Sequence, residues 1–358
     1  MLSLLVVLTL HSLQTDSFSQ VKELISISKN FSYSAYVDAY YSYDNDKTDY
    51  FAPRLFATTA PYRDQFGLNI AQASLKYNSE KVRGMFTLQF GDIPEADFGP
   101  VTRSKYIQEA NAGFSPAKNF WIDAGYFLTH IGTESIPRTN ILSTFSLPGN
   151  FEPLFQSGIK FSYDFSDKFS GSLLVLNGYN LFEDNNKNKS AGVQLSYAPN
   201  SRLNFVYNNI FGNEQPQGTI GKTRLLNNFI VYYNPTEKTE VVAMFDYGMQ
   251  EKSKFSDTTK SGDFYGATIT GRYRFIPQFS AALRGEFFQD LNAIVSPVLS
   301  DGRGVKANAV SLGIEYRPVE EAFLRLEYRF IKMDAAQKIF SGNSDSRSEA
   351  TISMGLEY

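Results

Sequence analysis

His130 and the nearby Glu134 and Ser135 are the side chains whose types could catalyse a hydrolysis. A serine nucleophile needs a base within hydrogen-bond reach, and a third group orients that base. His130 is the only histidine after residue 19, and no Gly-x-Ser-x-Gly motif is present. A lone histidine beside Ile131 and Gly132 is more typical of a structural hydrogen-bonding residue. We therefore expect no catalytic residues and no enzyme activity.

Three carboxylates, Asp44, Asp46 and Asp49, are close enough in sequence to suggest a calcium site, because Ca²⁺ binds carboxylate oxygens. Their segment, followed by Tyr50 and Phe51, lacks the glycine and the distal glutamate of a calcium-binding loop. The chain has no cysteine, which together with the single histidine argues against a zinc site. We expect a solvent-exposed loop here, no metal and no cofactor.

Five aromatic-x-Pro triplets end segments in which polar and apolar residues alternate. Proline lacks a backbone donor, so it marks a turn beside a strand. The last four triplets recur at intervals of about 40 residues, as hairpins do in a transmembrane β-barrel. The triplets are Phe114-Ser115-Pro116, Tyr197-Ala198-Pro199, Tyr233-Asn234-Pro235, Phe275-Ile276-Pro277 and Tyr316-Arg317-Pro318.

The composition agrees with a barrel. The 358 residues include 31 Phe and 22 Tyr, yet the hydrophobic fraction is only 42%. A barrel explains both values, because only one side of each strand faces lipid. No apolar run is long enough for a spanning helix. A net charge of −3 argues against a nucleic-acid partner.

The N-terminal segment predicts export. Residues 2–10 form an apolar run, and Ser17-Phe18-Ser19 offers a small-x-small cleavage pattern. A buried first strand is the alternative interpretation of this run. We expect a signal peptide over residues 1–19, a short periplasmic linker over 20–30 and a transmembrane barrel domain over 31–358.

About sixteen strands are predicted, joined alternately by short turns and long loops. Bacterial outer-membrane barrels have an even strand number, short periplasmic turns and longer extracellular loops. A soluble β-propeller has a similar repeat length, but its blades contain four short strands. The predicted strands lie near residues 31–43, 65–78, 80–91, 105–115, 118–129, 154–165, 168–179, 189–199, 201–212, 222–235, 237–250, 263–276, 277–290, 305–318, 320–333 and 347–358.

The two faces of several strands are distinct. Leu324 and Leu326 share one face of the fifteenth strand, whereas Arg325 and Glu327 share the other. An Arg or Lys on the lipid face at mid-membrane costs about 2–4 kcal/mol, so the charged face must line the lumen. Two runs, 173–176 and 225–230, are apolar on both sides and cannot be oriented from sequence.

Seven short motifs occur along the chain. They are Tyr36-Val37-Asp38-Ala39-Tyr40-Tyr41, Val82-Arg83-Gly84, Glu109-Ala110-Asn111-Ala112-Gly113, Trp121-Ile122-Asp123-Ala124-Gly125, His130-Ile131-Gly132-Thr133-Glu134-Ser135, Leu176-Asn177-Gly178 and Gly212-Asn213-Glu214. Together these motifs resemble the β-barrel porin-2 family, also called OmpL-like. The resemblance implies an outer-membrane porin of Gram-negative bacteria, and Tyr358 resembles the closing aromatic that barrel-assembly machinery recognises.

Sixteen strands enclose a water-filled lumen, and its predicted charges are unevenly placed. Acidic residues lie on early strands and arginines on late ones, which suggests a transverse field favouring polar solutes. The alternative is that these charges pair with lumen neighbours. The predicted pore-lining residues are Asp38, Glu109, Asp123, Arg272, Arg274, Arg284, Glu286, Glu315, Arg325, Glu327 and Arg329.

The longest connection, residues 130–153, is too apolar for a free surface loop. We predict that it folds into the lumen and constricts the pore, with His130, Glu134 and Arg138 in the constriction. The alternative is a loop that caps the outer mouth or packs on a neighbouring subunit.

The sequence thus favours a porin in the bacterial outer membrane that lets small hydrophilic solutes or ions diffuse passively. An adhesin or structural anchor, or a barrel hydrolase, is the alternative function. The expected partners are outer-membrane lipid, small hydrophilic solutes and the barrel-assembly machinery, with a homo-oligomer left open and no nucleic acid.

Overall fold

The computed structural model describes residues 30–47, 51–97, 104–135 and 137–358. This part of the chain forms sixteen antiparallel strands closed into one barrel, together with one short helix, as the sequence predicts. The predicted signal peptide and nearly all of the predicted linker lie outside the described residues. The strands are β1 (Phe31–Asp44), β2 (Phe66–Asn78), β3 (Val82–Phe90), β4 (Ile107–Ala117), β5 (Phe120–Leu128), β6 (Phe155–Ser166), β7 (Phe169–Leu176), β8 (Ser190–Asn200), β9 (Leu203–Asn213), β10 (Thr223–Thr236), β11 (Thr239–Gln250), β12 (Gly262–Ile276), β13 (Phe279–Gln289), β14 (Lys306–Val319), β15 (Ala322–Met333) and β16 (Ser346–Glu357), and the helix is α1 (Asp92–Asp97).

The barrel closes by pairing of the first and last strands. β1 and β16 run antiparallel in register from Tyr36 opposite Glu357 to Asp44 opposite Glu349. Closure gives backbone donors and acceptors partners within the sheet, which a strand surrounded by lipid requires. No helix of the described residues is long and apolar enough to cross a membrane.

Connections alternate in length around the barrel. Seven turns of two or three residues alternate with eight longer loops, of which residues 129–154 form the longest. Both ends of the barrel chain therefore lie at the short-turn end. This segregation confirms the prediction of short periplasmic turns and long extracellular loops.

The aromatic-x-Pro triplets lie at the short-turn end of the barrel. Strand pairing shifts register there, for example between Tyr197 and Asn200 and between Tyr316 and Val319, because proline cannot donate to the ladder. All five triplet aromatics are exposed on the outer surface. Exposed aromatic residues at this level are typical of the aromatic girdle that borders the apolar band of an outer-membrane barrel.

The outer surface is apolar and the inner surface is polar where the sequence alternates. On β15 Leu326 and Tyr328 are exposed to the outside, whereas Arg325, Glu327 and Arg329 are buried inside. The inward face carries the charges, as predicted.

The sequence does not show which residues of 173–176 face outward, but the structure does. Leu173 and Val175 face outward, while Leu174 and Leu176 are buried inside. The inner pair belongs to an apolar cluster that also contains Ile131 and Leu147 of the 129–154 connection. Both faces are apolar because lipid covers one of them and a loop of the same chain covers the other.

Candidate functional site

The described residues of 129–154, all except 136, are here called the inner loop. They fold into the barrel and reach the opposite wall. The Thr144 N–H and hydroxyl donate to the carboxylate of Glu327 on β15, at 2.9 and 2.5 Å. The hydroxyls of Ser143 and Ser353, the latter on β16, lie 3.1 Å apart. The inner loop starts after β5, so these contacts carry it across the lumen.

The inner loop fits closely against the wall because glycines stand opposite its bulky side chains. A Cβ on Gly313 of β14 would lie 2.4 Å from Leu142, and one on Gly266 of β12 would lie 2.7 Å from Pro148. A larger residue at Gly266 would displace Pro148, and one at Gly313 would force the end of the Leu142 side chain to move. The polar faces of the late strands therefore carry glycine where the loop approaches.

Arg284 on β13 lies at the centre of the contact between the inner loop and the wall. Its guanidinium donates to Glu134 at 2.7 Å, to Glu286 at 2.8 Å and to the carbonyl oxygen of Thr144 at 2.7 Å. The side chain is 1% exposed. A buried guanidinium must be paired and hydrogen-bonded to be tolerated, and the inner loop supplies two of these acceptors.

The ion pairs continue from Arg284 along the wall. Glu286 also accepts from Arg329 at 2.6 Å, and Arg329 lies 3.5 Å from Glu349 on β16. Arg347 reaches the same carboxylate at 3.0 Å. Three strands thus share one connected set of buried charges.

The described residues of the first connection, 45–47 and 51–65, are here called the first loop and add charges to the same set. Arg54 lies 3.1 Å from Glu349 and 3.2 Å from Asp44, and Arg63 lies 3.4 Å from Asp44. Asp44 and Asp46 are buried. The prediction of a solvent-exposed segment is therefore wrong for these residues. Arginines later in the loop supply the countercharges for Asp44, and the Asp46 carboxylate accepts from the Ser341 N–H.

No group of three His, Cys, Asp or Glu side chains among the described residues could hold a metal ion. Asp49, the third carboxylate of the suggested calcium set, lies outside the described residues. The other two carboxylates are taken up by interactions within the chain, such as the bond from the Ser341 N–H to Asp46 at 2.9 Å.

The first loop also touches the inner loop directly. The Thr59 hydroxyl donates to the carbonyl oxygen of Ser143 at 2.8 Å, and the Thr58 N–H donates to the Asn150 side chain at 3.0 Å. Phe56 holds a φ of 61°, where a bulky residue is strained. Its carbonyl accepts from Arg329 at 3.1 Å, so buried surroundings fix this conformation.

Several other predicted lumen residues are ion-paired with wall neighbours. Asp123 on β5 accepts from both Arg83 nitrogens that face it, one of them at 2.6 Å. Arg272 on β12 pairs with Glu240 on β11. Glu109 on β4 is half-buried and interacts electrostatically with Lys160 and Lys76, while Arg274 on β12 is exposed near the short-turn end.

Glu315, Arg325 and Arg138 occupy the short-turn side of the lumen. Arg325 donates to Glu315 at 2.7 Å and to the carbonyl oxygen of Pro137 at 3.1 Å. Arg138 lies 3.5 Å from Glu357. Through these contacts the first part of the inner loop is also tied to the late strands.

A transverse field would require an acidic side of the lumen facing a basic side. The charges are instead paired with neighbours on the same side. β1 closes the barrel beside β16, so Asp38 lies near Arg325 on the same side of the lumen. The early strands also carry Arg83 and Lys160, which offset the acidic residues there. The alternative of locally paired charges describes this arrangement.

His130 has a structural environment. Its ring nitrogens lie 2.8 Å from Oε1 of Gln156 and 2.9 Å from the carbonyl oxygen of Asn209. Burial lowers the pKa of the imidazole below 6.5. Neither partner is a serine hydroxyl, so the ring fixes the start of the inner loop between β6 and β9.

Residues 30–358 match the family model described as "Putative beta-barrel porin-2, OmpL-like". The chain belongs to this porin family. The match covers the whole described barrel and confirms the resemblance seen in the sequence. No curated protein matches the chain.

Solved outer-membrane proteins share the fold of this porin at low sequence identity. The channel DcaP of Acinetobacter baumannii and a Salmonella typhi OmpF complexed with daunomycin both give a TM-score of 0.63 at 12% identity, over 92% of this chain and 97% and 98% of theirs. An anion-selective porin from Comamonas acidovorans gives a TM-score of 0.59 at 11% identity, over 92% and 99%.

Some residues that join the first loop to the wall escaped the sequence predictions. Arg347 and Glu349 stand in phase with Thr351 and Ser353 on the polar face of the last strand, so period-two alternation alone could have placed them in the lumen. Arg54 gave no such signal, because it lies in a loop.

Glu152 near the end of the inner loop forms an unusual contact with Asp246 on β11. The two carboxyl groups lie within hydrogen-bond reach of each other, and neither oxygen of Glu152 meets a donor from the described residues. Asp246 also accepts from Asn228 at 2.6 Å. A Cβ on Gly132 would lie 1.9 Å from Glu152, so glycine leaves room for this side chain.

Two buried carboxyl groups in contact are stable when they share one proton. Burial, followed by the charge of Asp246, raises the pKa of Glu152 well above its ordinary value of 4.5. Glu134, Tyr179 and Tyr232 are the other titratable groups that interact with Glu152, and none of them supplies a positive charge. The docking of the loop end is therefore strongest below pH 4.5 and weakens as pH rises through the raised pKa.

We expect alkaline pH to loosen the end of the inner loop in this porin. Single-channel current noise should rise with pH in the wild type, because loss of the shared proton leaves two repelling carboxylates. Glu152→Gln should remove this rise, since an amide donates to Asp246 at every pH. Glu183→Gln, at an exposed position, is the matched control, and an unchanged pH dependence in Glu152→Gln would contradict the shared proton.

Proposed function

We propose that the inner loop and the first loop together set the conducting width of this outer-membrane porin. The observation that carries the proposal is the attachment of the inner loop across the lumen, through Thr144, Glu134 and Arg284. Small hydrophilic solutes or ions would pass by diffusion between the inner loop and the uncovered wall.

The short-turn half of the lumen supports this path, because it contains polar cavities. A cavity of about 290 Å³ is lined by Lys238, Glu240, Arg272 and Arg274. The long-loop half instead contains the large apolar cluster to which Phe56 belongs. The proposed channel therefore narrows towards the outside and widens towards the periplasm.

The predicted pore-lining charges are proposed to stabilise the wall and the loops that pack on it. Since most of them are paired within the chain, we infer a weak preference between anions and cations. A porin of Comamonas acidovorans with a similar fold is described as anion-selective. In the present lumen four of the five predicted arginines, Arg272, Arg284, Arg325 and Arg329, are ion-paired. Polar uncharged solutes fit this balance.

The hydrolase and anchor alternatives have less support. The contacts of His130 are structural, and the family is a porin family. We infer that the protein is a channel and not an enzyme. Lipid around the apolar band and the barrel-assembly machinery, with the exposed Tyr358 as its recognition residue, remain the proposed partners.

Removing the inner loop should widen the channel. Deleting residues 136–150 is expected to raise single-channel conductance in planar bilayers, because the contacts across the lumen disappear. Deleting residues 184–188, in an exposed connection, is the control and should leave conductance close to the wild-type value. Equal conductance in all three proteins would place the constriction elsewhere.

We also propose a homo-oligomer, formed through the outer surface of β1–β5. Small residues meet there in neighbouring strands: Ala35 pairs with Ala73, and Ala112 pairs with both Gly84 and Ala124. A structural relative, OmpT of Vibrio cholerae, is described in a trimer form. Small side chains allow two sheets to approach closely in lipid.

A bulky side chain on this surface should separate the subunits. Light scattering in mild detergent is expected to give an oligomer mass for the wild type and a monomer mass for Ala112→Trp. Leu312→Trp, on the outer face far from β1–β5, should keep the oligomer mass. A wild-type monomer, or an Ala112→Trp oligomer, would contradict this interface.

A further inference from the structure

A small cavity lies between the inner loop and the wall formed by β10–β13. Its volume is about 60 Å³, and its polar lining includes Glu134, Asn140, Tyr232, Glu240, Thr270 and Arg284. By volume it can hold about four waters. The cavity belongs to the proposed constriction, because the inner loop forms one of its sides.

Asn140 is the exceptional residue of this cavity. Its side chain is buried, and neither the amide nitrogen nor the amide oxygen has a hydrogen-bond partner among the described residues. Buried side-chain amides almost always have partners. An amide that lines a cavity with both groups unused therefore points to a ligand that supplies a donor and an acceptor.

The charges around the cavity are already balanced. Arg284 is paired with Glu134 and Glu286, and Glu240 is paired with Arg272. A charged ligand would have to compete with these ion pairs, whereas an uncharged ligand would leave them intact. Thr270 and Tyr232 add hydroxyl groups on the wall side.

We propose that this cavity is a binding subsite for a small uncharged solute with neighbouring hydroxyl groups, such as a three- or four-carbon polyol. A hydroxyl group both donates and accepts, so two adjacent hydroxyls satisfy both ends of the Asn140 amide after a small side-chain rotation. The inference rests on the proposed porin function and names a solute class for its constriction.

The subsite also has an exit. Glu240 lines both this cavity and the cavity of about 290 Å³ at the short-turn end. A solute that leaves Asn140 therefore enters a wider polar space bounded by Lys238 and Arg274. Binding at the narrow point and release into the wide one is the arrangement that a selective diffusion channel needs.

Inhibition of ion current by erythritol tests the subsite. In planar bilayers the wild-type current, corrected for the bulk conductivity of the solution, should fall with erythritol concentration and saturate. Asn140→Leu, which keeps the size and removes both hydrogen-bonding groups, should raise the half-inhibiting concentration about tenfold. Thr270→Val should raise it by a smaller factor, and Asn188→Leu at an exposed position should not change it.

The outcomes separate the subsite from the porin function. A folded barrel that carries no ion current would overturn the porin proposal and the subsite with it. A current that erythritol does not inhibit, or inhibits equally in the wild type, Asn140→Leu and Thr270→Val, would overturn only the subsite and leave a cavity that holds water.

Discussion

The rest of the structure depends on the need of Arg284 for negative partners inside the barrel. An arginine removed from water must be surrounded by acceptors, because an unpaired buried charge is not tolerated. The wall supplies Glu286 and Glu327, and the inner loop supplies Glu134 and a backbone carbonyl. The ion pairs therefore help to fix where the loop lies, since it supplies two of the acceptors around the guanidinium.

Such pairs determine position more than they add net stability. Replacing a whole buried pair by apolar residues is often neutral, whereas removing one partner costs about 3–5 kcal/mol. The first loop is held in the same way, because Arg54 forms ion pairs with Asp44 on β1 and Glu349 on β16. The two loops thus hold one another and fill the long-loop half, while the short-turn half keeps its polar cavities.

Much of the fold was predictable because a barrel in lipid imposes a simple pattern. Alternation with a period of two placed the strands, and the aromatic-x-Pro triplets placed several of the turns. The runs at 173–176 and 225–230 could not be oriented, because a loop of the chain covers inward residues such as Leu174 and Leu226. Alternation of apolar and polar residues is expected only where one face of a strand meets lipid and the other meets water.

The candidate site was only partly predictable for a related reason. The apolar composition of residues 130–153 indicated that this loop is buried, yet composition cannot say which wall it meets. The role of Arg54 depends on a contact with Glu349, nearly the whole chain away. The sequence prediction placed the acidic residues of early strands across the lumen from the arginines of late strands. It did not consider that barrel closure puts β1 beside β16.

Disulfide formation between Ser143→Cys and Ser353→Cys tests the central claim most directly. The chain has no cysteine, so a new bond can arise only between these two positions, whose hydroxyls lie 3.1 Å apart. The account predicts near-complete crosslinking on mild oxidation of the folded barrel in lipid, detected by mass after proteolysis. A folded barrel that stays fully reduced would show that the inner loop does not rest on the opposite wall.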